Sequence, residues 1–512
     1  MVLRTAPTVP LYKYLLRNLS QRWKLINYQA AVLILTFMAY TSYHLAKRSF
    51  SIVKSELGCN KTMNNSCEPW PPFDDQKKNK DLFGLLDCAF LMSYALAMFV
   101  SGYIAEHTNL RIYLSAGMVL TGVFTGLSGL AYYLNIHSLS FFVLLQIITG
   151  ITQSTGWPCV VEAVGVWFPE GRRGFVMGVW NTHVSIGNIL GSLVAGAFVD
   201  TNWGLSFVVP GIIIASVGVI IFIFLIPHPS HVGLHEHKKQ PAFTPSRTDI
   251  LPSPDPLRKP NKEEVEEEQV EPKAIGIWGA LRIPGVVEYS LCLFFAKLVS
   301  YTFLFWLPYY IQQTPIDGKK YDSGKAADWA TLFDVGGAAG GIVAGLLTDY
   351  THHPGLVNVI MLLCAGPSLF LFYFHGTANV TLFVTYMIIS GFFVNGPYAL
   401  ITTAVSASLG THECLRGNTK AMAVVTSIID GTGSLGAAIG PLLAGVISES
   451  TGSWTDVFYM LIIADIIAAI LLSRQFAHEV KEVYVKLRYR LGRSNSDSVN
   501  TFDENEPLLS TA

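Results

Sequence analysis

The sequence predicts an all-α polytopic membrane protein whose twelve spans form two six-helix bundles. Two observations carry that expectation. Of 512 residues, 51% are hydrophobic and only 14% charged, which excludes an ordinary soluble domain and leaves apolar sequence for about a dozen helices of roughly 20 residues. The apolar runs also fall six and six around one long hydrophilic connection. They lie at about 28–54, 82–105, 111–134, 140–167, 173–199 and 205–227, then at 284–313, 327–349, 355–375, 380–409, 421–448 and 456–474. The chain is thus expected to divide into an N-terminal cytoplasmic segment (1–27), a first bundle (28–227), a flexible cytoplasmic linker (228–283), a second bundle (284–474) and a cytoplasmic tail (475–512).

The first 25 residues are polar and basic, with Arg4, Lys13, Arg17, Arg22 and Lys24, and the apolar run after them has no small-residue cleavage site. It reads as a span that stays in the membrane rather than a signal peptide. The central connection carries Pro229, Pro241, Pro252, Pro254, Pro256 and Pro260 and then the acidic run Glu263-Glu264-Val265-Glu266-Glu267-Glu268. It cannot bury enough apolar surface to fold, so it is expected to be a tether. With both termini cytoplasmic, roughly 24 of the 35 Lys and Arg fall in cytoplasmic segments, about 8 in the opposite loops and 3 (Lys47, Arg48, Lys297) in spans. That asymmetry sets the orientation.

The same orientation puts residues 55–81 in the lumen or outside the cell, where Asn60 and Asn64 each head an N-x-S/T glycosylation acceptor. Cys59 and Cys67 share that loop and are the two cysteines placed where a disulfide can form, whereas Cys88, Cys159, Cys292, Cys364 and Cys414 read as small core residues or cytosolic thiols. The formal net charge of -1 leaves no nucleic-acid footprint. Nor is there a paired nucleophile and base, metal-ligand spacing or P-loop, so neither an enzyme nor a cofactor nor a metal is expected.

A weak repeat links the halves. Gly102 precedes Glu106 by four residues after the second span, and Gly345 precedes Asp349 in the same way after the eighth, a pattern read as a close helix approach that gives each acid a partner. Small residues recur in the fifth span (Gly187, Gly191, Gly196) and the eleventh (Gly433, Gly436, Gly440, Gly445), as tight helix packing requires.

The stretch from Ala39 to Phe50 in the first span carries the chemistry. A charge at a helix centre costs about 2.5–3.5 kcal/mol on insertion scales, so Lys47 and Arg48 are expected to face a cavity and bind something. On a helix, Tyr40, Tyr43, His44, Lys47 and Ser51 share one face, and Arg48 lies about 100° from Lys47. The competing explanation is a dibasic helix end snorkelling to headgroups. Its place on the sparsely basic side, and a third cation, Lys297, in the corresponding span of the second half, argue against it. Asp87, Glu162, Asp334 and Asp430 are further acids within spans. Each either holds a neighbouring helix or, for Asp334 or Asp430, pairs Lys297 when the site is empty.

Several runs carry a resemblance: Ser42-Tyr43-His44-Leu45 before the dibasic pair, Gly156-Trp157-Pro158, Gly178-Val179-Trp180-Asn181, Gly187-Asn188-Ile189-Leu190-Gly191-Ser192 and the segment Ala280–Glu288. The second half adds Phe333-Asp334-Val335-Gly336-Gly337, the segment Asn395–Ala407 and Ile429-Asp430-Gly431-Thr432-Gly433-Ser434. Over residues 30–475 the chain resembles the major facilitator superfamily and, within it, the eukaryotic sugar-phosphate exchangers, near the glucose-6-phosphate exchangers.

That resemblance implies exchange of a sugar phosphate, glucose 6-phosphate first, for inorganic phosphate by alternating access in the endoplasmic reticulum membrane. It also implies a phosphate held between basic residues of the first and seventh spans. Those map to Lys47 and Arg48, in the reverse of the family's usual Arg-Lys order, and to Lys297, since the bacterial arginine position is Ser300 here and the bacterial second-span lysine is Met98. His183 lies one residue before the bacterial histidine; Tyr43, His44 and Tyr301 complete the candidate substrate-binding set, with Asp334, Asp430, Glu106 and Asp349 as helix-coupling acids.

A sugar phosphate near pH 7 carries about -1.5 to -2 charge, which paired cations must offset in a low-dielectric cavity. In the tail, the run Glu504 to Leu509, with Leu508 and Leu509, has the spacing of an acidic dileucine signal for a sorting adaptor, which raises an endosomal or lysosomal address against the endoplasmic reticulum. Two other functions fit the same features: a proton-driven organic-anion carrier, with Asp334 as the acid that titrates, and a membrane sensor that binds a phosphorylated ligand without moving it.

Overall fold

The computed structural model describes residues 21–58, 70–75, 77–168, 180–232, 277–405, 409 and 419–486. Asn60, Asn64, Cys59, Cys67, Glu504, Leu508, Leu509, most of the linker and the Glu106 side chain lie outside the described residues.

The first half comprises α1 (Gln21–Leu57), α2 (Asn79–His107), α3 (Leu110–Tyr133), α4 (Leu139–Gln153), α5 (Gly156–Trp167), α6 (His183–Asn202) and α7 (Leu205–Phe224). The second comprises α8 (Val286–Gln313), α9 (Ser323–Thr351), α10 (Pro354–His375), α11 (Val380–Leu400), α12 (Thr419–Thr451) and α13 (Thr455–Leu471). Among the described residues eleven spans are long and apolar enough to cross a membrane by themselves, α4 and α5 together making one, and α13 with the Ser473–Lys486 helix bent 55° from it makes a twelfth if the bent pair is one span. Large apolar side chains such as Ile34, Leu96, Leu144, Leu346 and Ile470 are exposed on the outer faces, as helices solvated by lipid require.

Prolines shape the spans through the carbonyls they leave free. A proline cannot donate to the carbonyl four residues earlier. Pro158 therefore frees the Ser154 carbonyl, which accepts a hydrogen bond from Ser101 Oγ at 3.1 Å, and the fourth span breaks there between α4 and α5. Pro308 in α8 likewise frees the Leu304 carbonyl, and that oxygen becomes a junction between the halves.

Small residues set which helices touch. Within the halves α3 packs on α7, α1 on α6, α8 on α12 and α9 on α11; across them α2 packs on α12 and α6 on α9. A Cβ at Gly191 would sit 2.7 Å from the Leu45 carbonyl of α1, and one at Gly445 would sit 2.6 Å from the Lys80 carbonyl of α2. The Gly102 and Gly345 pattern behaves otherwise. Among the described residues nothing lies within 4 Å of a Cβ at either position, and Asp349 is exposed on α9, so these glycines face outward rather than bringing helices together.

The contacts that join the halves gather at the end of the molecule where α1 finishes and α2, α9 and α12 meet. Ser323 Oγ donates to Glu56 at 3.2 Å, Gly324 N to Asp200 at 2.9 Å and Lys80 Nζ to the Ser448 carbonyl at 3.3 Å. That end is sealed.

Substituting Gly436, whose Cβ would run into the Phe294 carbonyl, tests the packing. Gly436→Val is expected to cost about 1–3 kcal/mol by overpacking. Gly126→Ala, where nothing lies within 4 Å, is expected to change stability by no more than about 0.5 kcal/mol. Thermal unfolding in detergent followed by tryptophan fluorescence reads both, and equal effects would contradict the packing assignment.

Candidate functional site between the two halves

Helix α1 presents three buried cations within about two turns and α8 a fourth, and the structure sends them in different directions. Lys47, Arg48, Lys54 and, from α8, Lys297 are all under one-tenth exposed. Lys54 is the one that the sequence candidates left out. It stands seven residues after Lys47 on the same face, wholly buried, ion-paired with Asp87 of α2 and 3.3 Å from the Phe305 carbonyl of α8. It closes the first apolar run of the sequence; the helix continues to Leu57 and takes it inside.

Arg48 is the hub of a network across the halves. Its Nε donates to Ser192 Oγ at 2.8 Å, one terminal nitrogen donates to the Leu304 carbonyl freed by Pro308, and the other lies 3.4 Å from Asp334 Oδ2. Asn188 Nδ2 donates to Asp334 Oδ1 at 3.1 Å, so its Oδ1 accepts from His44 Nδ1 at 3.2 Å. The chain His44, Asn188, Asp334, Arg48, Ser192 thus ties α1, α6 and α9 together, and Ser51 Oγ adds a bond of 2.8 Å to the same Leu304 carbonyl. Gly187 and Gly191 make it possible, because side chains there would collide with Thr41, His44, Leu45 and Arg48 and hold α6 away. Asp334 therefore pairs with Arg48, not with Lys297, because α9 faces α1 at this level.

Lys297 finds its acid on α12: Nζ lies 2.7 Å from Asp430 Oδ1. Gly433 admits it, since a Cβ there would sit 3.0 Å from Lys297 Cδ. Lys47 differs from the other three. Among the described residues no carboxylate pairs with it, and its ammonium is held by aromatic faces alone, 4.7 Å from the Tyr94 ring centre, 5.7 Å from Tyr301 and 5.8 Å from Phe90. Such cation–π contacts are worth about 2 kcal/mol when desolvated, short of what a full counter-ion supplies. Tyr398 closes the circle, 6.3 Å from Tyr301 and 5.5 Å from the Lys297 ammonium.

The remaining sequence candidates divide. Tyr301 lies in this aromatic ring. Tyr43 does not, since its hydroxyl is engaged 3.0 Å from Thr155 of the fourth span and its ring fills the space over Gly156. His183 stands in an aromatic nest, 4.3 Å from Trp180 and 4.6 Å from Tyr40 between ring centres, with Nδ1 3.0 Å from the Asn181 carbonyl. Ser300 donates to Asn395 Oδ1 at 2.5 Å. Tyr94, Tyr398, Asn188 and Ser192 were not among the candidate site residues of the sequence, where such side chains in a span look like packing; their convergence on cations separates them from the rest.

Two six-span halves, sealed at one end and meeting over buried cations, define a membrane carrier of the alternating-access kind. The chain belongs to the major facilitator superfamily, whose family profile, "Major Facilitator Superfamily", matches residues 32–419. Its similarity is high to proteins called glucose-6-phosphate exchangers. It is 51% identical over 467 residues to glucose-6-phosphate exchanger SLC37A2 of Danio rerio (89% of this chain, 93% of the relative) and 50% identical over 473 residues to that of Homo sapiens (88% and 93%). It is 45% identical over 507 residues to glucose-6-phosphate exchanger SLC37A1 of Homo sapiens (88% and 93%). The solved structure of a bacterial homolog to the human lysosomal transporter Spinster shares the fold, with TM-score 0.60 and 17% identity over 88% of this chain and 98% of that one.

Breaking the Lys54–Asp87 pair tests its structural role. Lys54→Met leaves a buried carboxylate alone and is expected to cost about 3–5 kcal/mol, whereas Lys54→Met combined with Asp87→Leu recovers most of that loss. Thermal unfolding of the purified protein distinguishes the two. A double variant as unstable as the single one would mean that the pair holds more than its own charges.

Proposed function

We propose that the protein is a secondary carrier that exchanges a sugar phosphate, glucose 6-phosphate, for inorganic phosphate, with Lys47 as the primary phosphate ligand. The observation that carries this is the charge balance of the site. Arg48 and Lys54 each have a buried acid and Lys297 has Asp430, whereas Lys47, set against aromatic faces, is ion-paired with no carboxylate among the described residues. A phosphoryl group supplies the missing counter-charge, and its oxygens take charge-assisted hydrogen bonds from the ammonium. The names of relatives 45–51% identical to this chain support the same substrate. The chain is a carrier rather than an enzyme.

Arg48 acts through position rather than as a free ligand. Its fork is occupied by Ser192, the Leu304 carbonyl and Asp334, so it holds α1 against α8 and α9 on the sealed side. Opening that side requires the Leu304 bond, the Ser51 bonds and the links from Lys80, Ser323 and Gly324 to break together. An empty carrier would do so with Lys47 unneutralised, which makes the empty switch slow and couples each passage to a bound anion. Asp334, the acid that a proton-driven carrier would titrate, is held by Arg48 and Asn188, which favours exchange.

In this reading both termini are cytoplasmic, Asn60 and Asn64 carry glycans, and Cys59 and Cys67 form a disulfide in the luminal loop. The compartment is the endoplasmic reticulum, and an adaptor reading Glu504, Leu508 and Leu509 would redirect the protein to endosomes or lysosomes.

The test is uptake of radiolabelled phosphate into liposomes carrying the purified protein, preloaded with phosphate, with glucose 6-phosphate or with neither. Uptake is expected only into preloaded vesicles, and Lys47→Ala is expected to lower its rate at least ten-fold. Equal uptake into empty vesicles, or full activity in Lys47→Ala, would overturn the exchange mechanism or the ligand assignment respectively.

A further inference from the structure

On its other flank Lys47 borders a second cavity, enclosed by α1, α2, α3, α4 and α7 of the first half and capped by Phe305 of α8. Counting its mouth, it holds about 320 Å³ of empty space. Besides Lys47, its polar lining comes from Ser49, Thr125, Ser128, Gln146, Thr149 and Gln153, all of them at least nine-tenths buried. Four of these carry atoms with no hydrogen-bond partner: Ser49 Oγ, Thr125 Oγ1, Thr149 Oγ1 and Gln153 Nε2. Buried polar atoms are nearly always satisfied, so four orphans from three spans around one cavity point to something absent that bonds to all of them. No carboxylate lines the cavity, and the rest of its wall is aromatic: Phe50, Phe90, Phe207 and Phe305.

Hydroxyls and amides that both donate and accept, set between aromatic faces, match a polyhydroxylated carbon skeleton, whose O–H groups do the same and whose C–H faces pack on rings. An inorganic ion would use the donors and leave the aromatic faces idle. We propose that this pocket is the subsite for the hydroxyl-bearing part of a phosphate ester whose phosphoryl group rests on Lys47. The proposal rests on the exchange function above and adds to it the side of the lysine on which the sugar lies and the residues that read it. Lys47 is the pivot, because it lines the cavity and also faces Tyr301 of the second half. Inorganic phosphate, with no skeleton to place, needs Lys47 but not the pocket.

The experiment compares two ligands on one protein. Half-saturating concentrations of glucose 6-phosphate and of inorganic phosphate are measured by uptake into phosphate-loaded liposomes for the unsubstituted protein, Thr149→Val and Gln153→Leu, which remove the polar atoms while keeping bulk. The ratio of the two constants, ester to phosphate, is expected to rise at least five-fold in each variant. An unchanged ratio would overturn the proposal and leave the cavity as a site for structural water.

A measurement on the unsubstituted protein guards against variants that fail to fold. Ethyl phosphate, an ester without hydroxyls, is expected to compete with labelled phosphate at least ten-fold more weakly than glucose 6-phosphate, because a site built to bond hydroxyls rejects a ligand that lacks them. Equal competition would sink the subsite while leaving exchange intact. If the unsubstituted protein takes up neither ligand, the exchange function itself fails and the subsite with it.

Discussion

Among the bonds that join the two halves of this carrier, those to the Leu304 carbonyl oxygen set the demands on the rest. Pro308 has no N–H to give the Leu304 carbonyl, and in a membrane core an unsatisfied carbonyl is costly, so it must find a donor elsewhere. It takes two from the other half, the Arg48 guanidinium and the Ser51 hydroxyl. Burying Arg48 in turn demands an acid and further acceptors, which Asp334 and Ser192 provide, and the approach of α6 that delivers Ser192 demands Gly187 and Gly191. A proline in one span thus fixes what must stand on three others.

Charge is distributed to match. Buried cations are tolerable when paired, and Arg48, Lys54 and Lys297 each have a carboxylate from another helix. These pairs stay with the protein. Lys47 lies against the faces of Tyr94, Tyr301 and Phe90 and, among the described residues, is ion-paired with no carboxylate, an arrangement that holds an ammonium without neutralising it. Of these four buried cations, Lys47 is the one with no carboxylate ion-paired to it among the described residues.

Much of this was legible in the chain. Twelve apolar runs, the hydrophilic linker, the dibasic pair inside a span and the small-residue stripes of the fifth and eleventh spans follow from the cost of polar groups in lipid and from the need of close helices for glycine. Spans of the second half correspond closely: 327–349 became Ser323–Thr351 and 355–375 became Pro354–His375. Lys54 was missed because an apolar run appears to end where its last cation stands. The Gly102 and Gly345 pattern misled in the opposite way, since glycine spacing says that a close approach is allowed, not that a neighbour is present.

By itself, then, the sequence determined that the protein crosses a membrane many times, in two matched halves, with cations where lipid forbids them. A charge in an apolar run is costly whatever surrounds it, so that signal survives without a structure. Which cation is structural and which is free was decided only by tertiary packing. Lys47 and Arg48 are adjacent and chemically alike, and the 100° between them on one helix turns Arg48 toward Ser192, Asp334 and the Leu304 carbonyl and Lys47 toward Tyr94 and Tyr301. Partners contributed by other helices, distant along the chain, leave no mark beside the residue they complete.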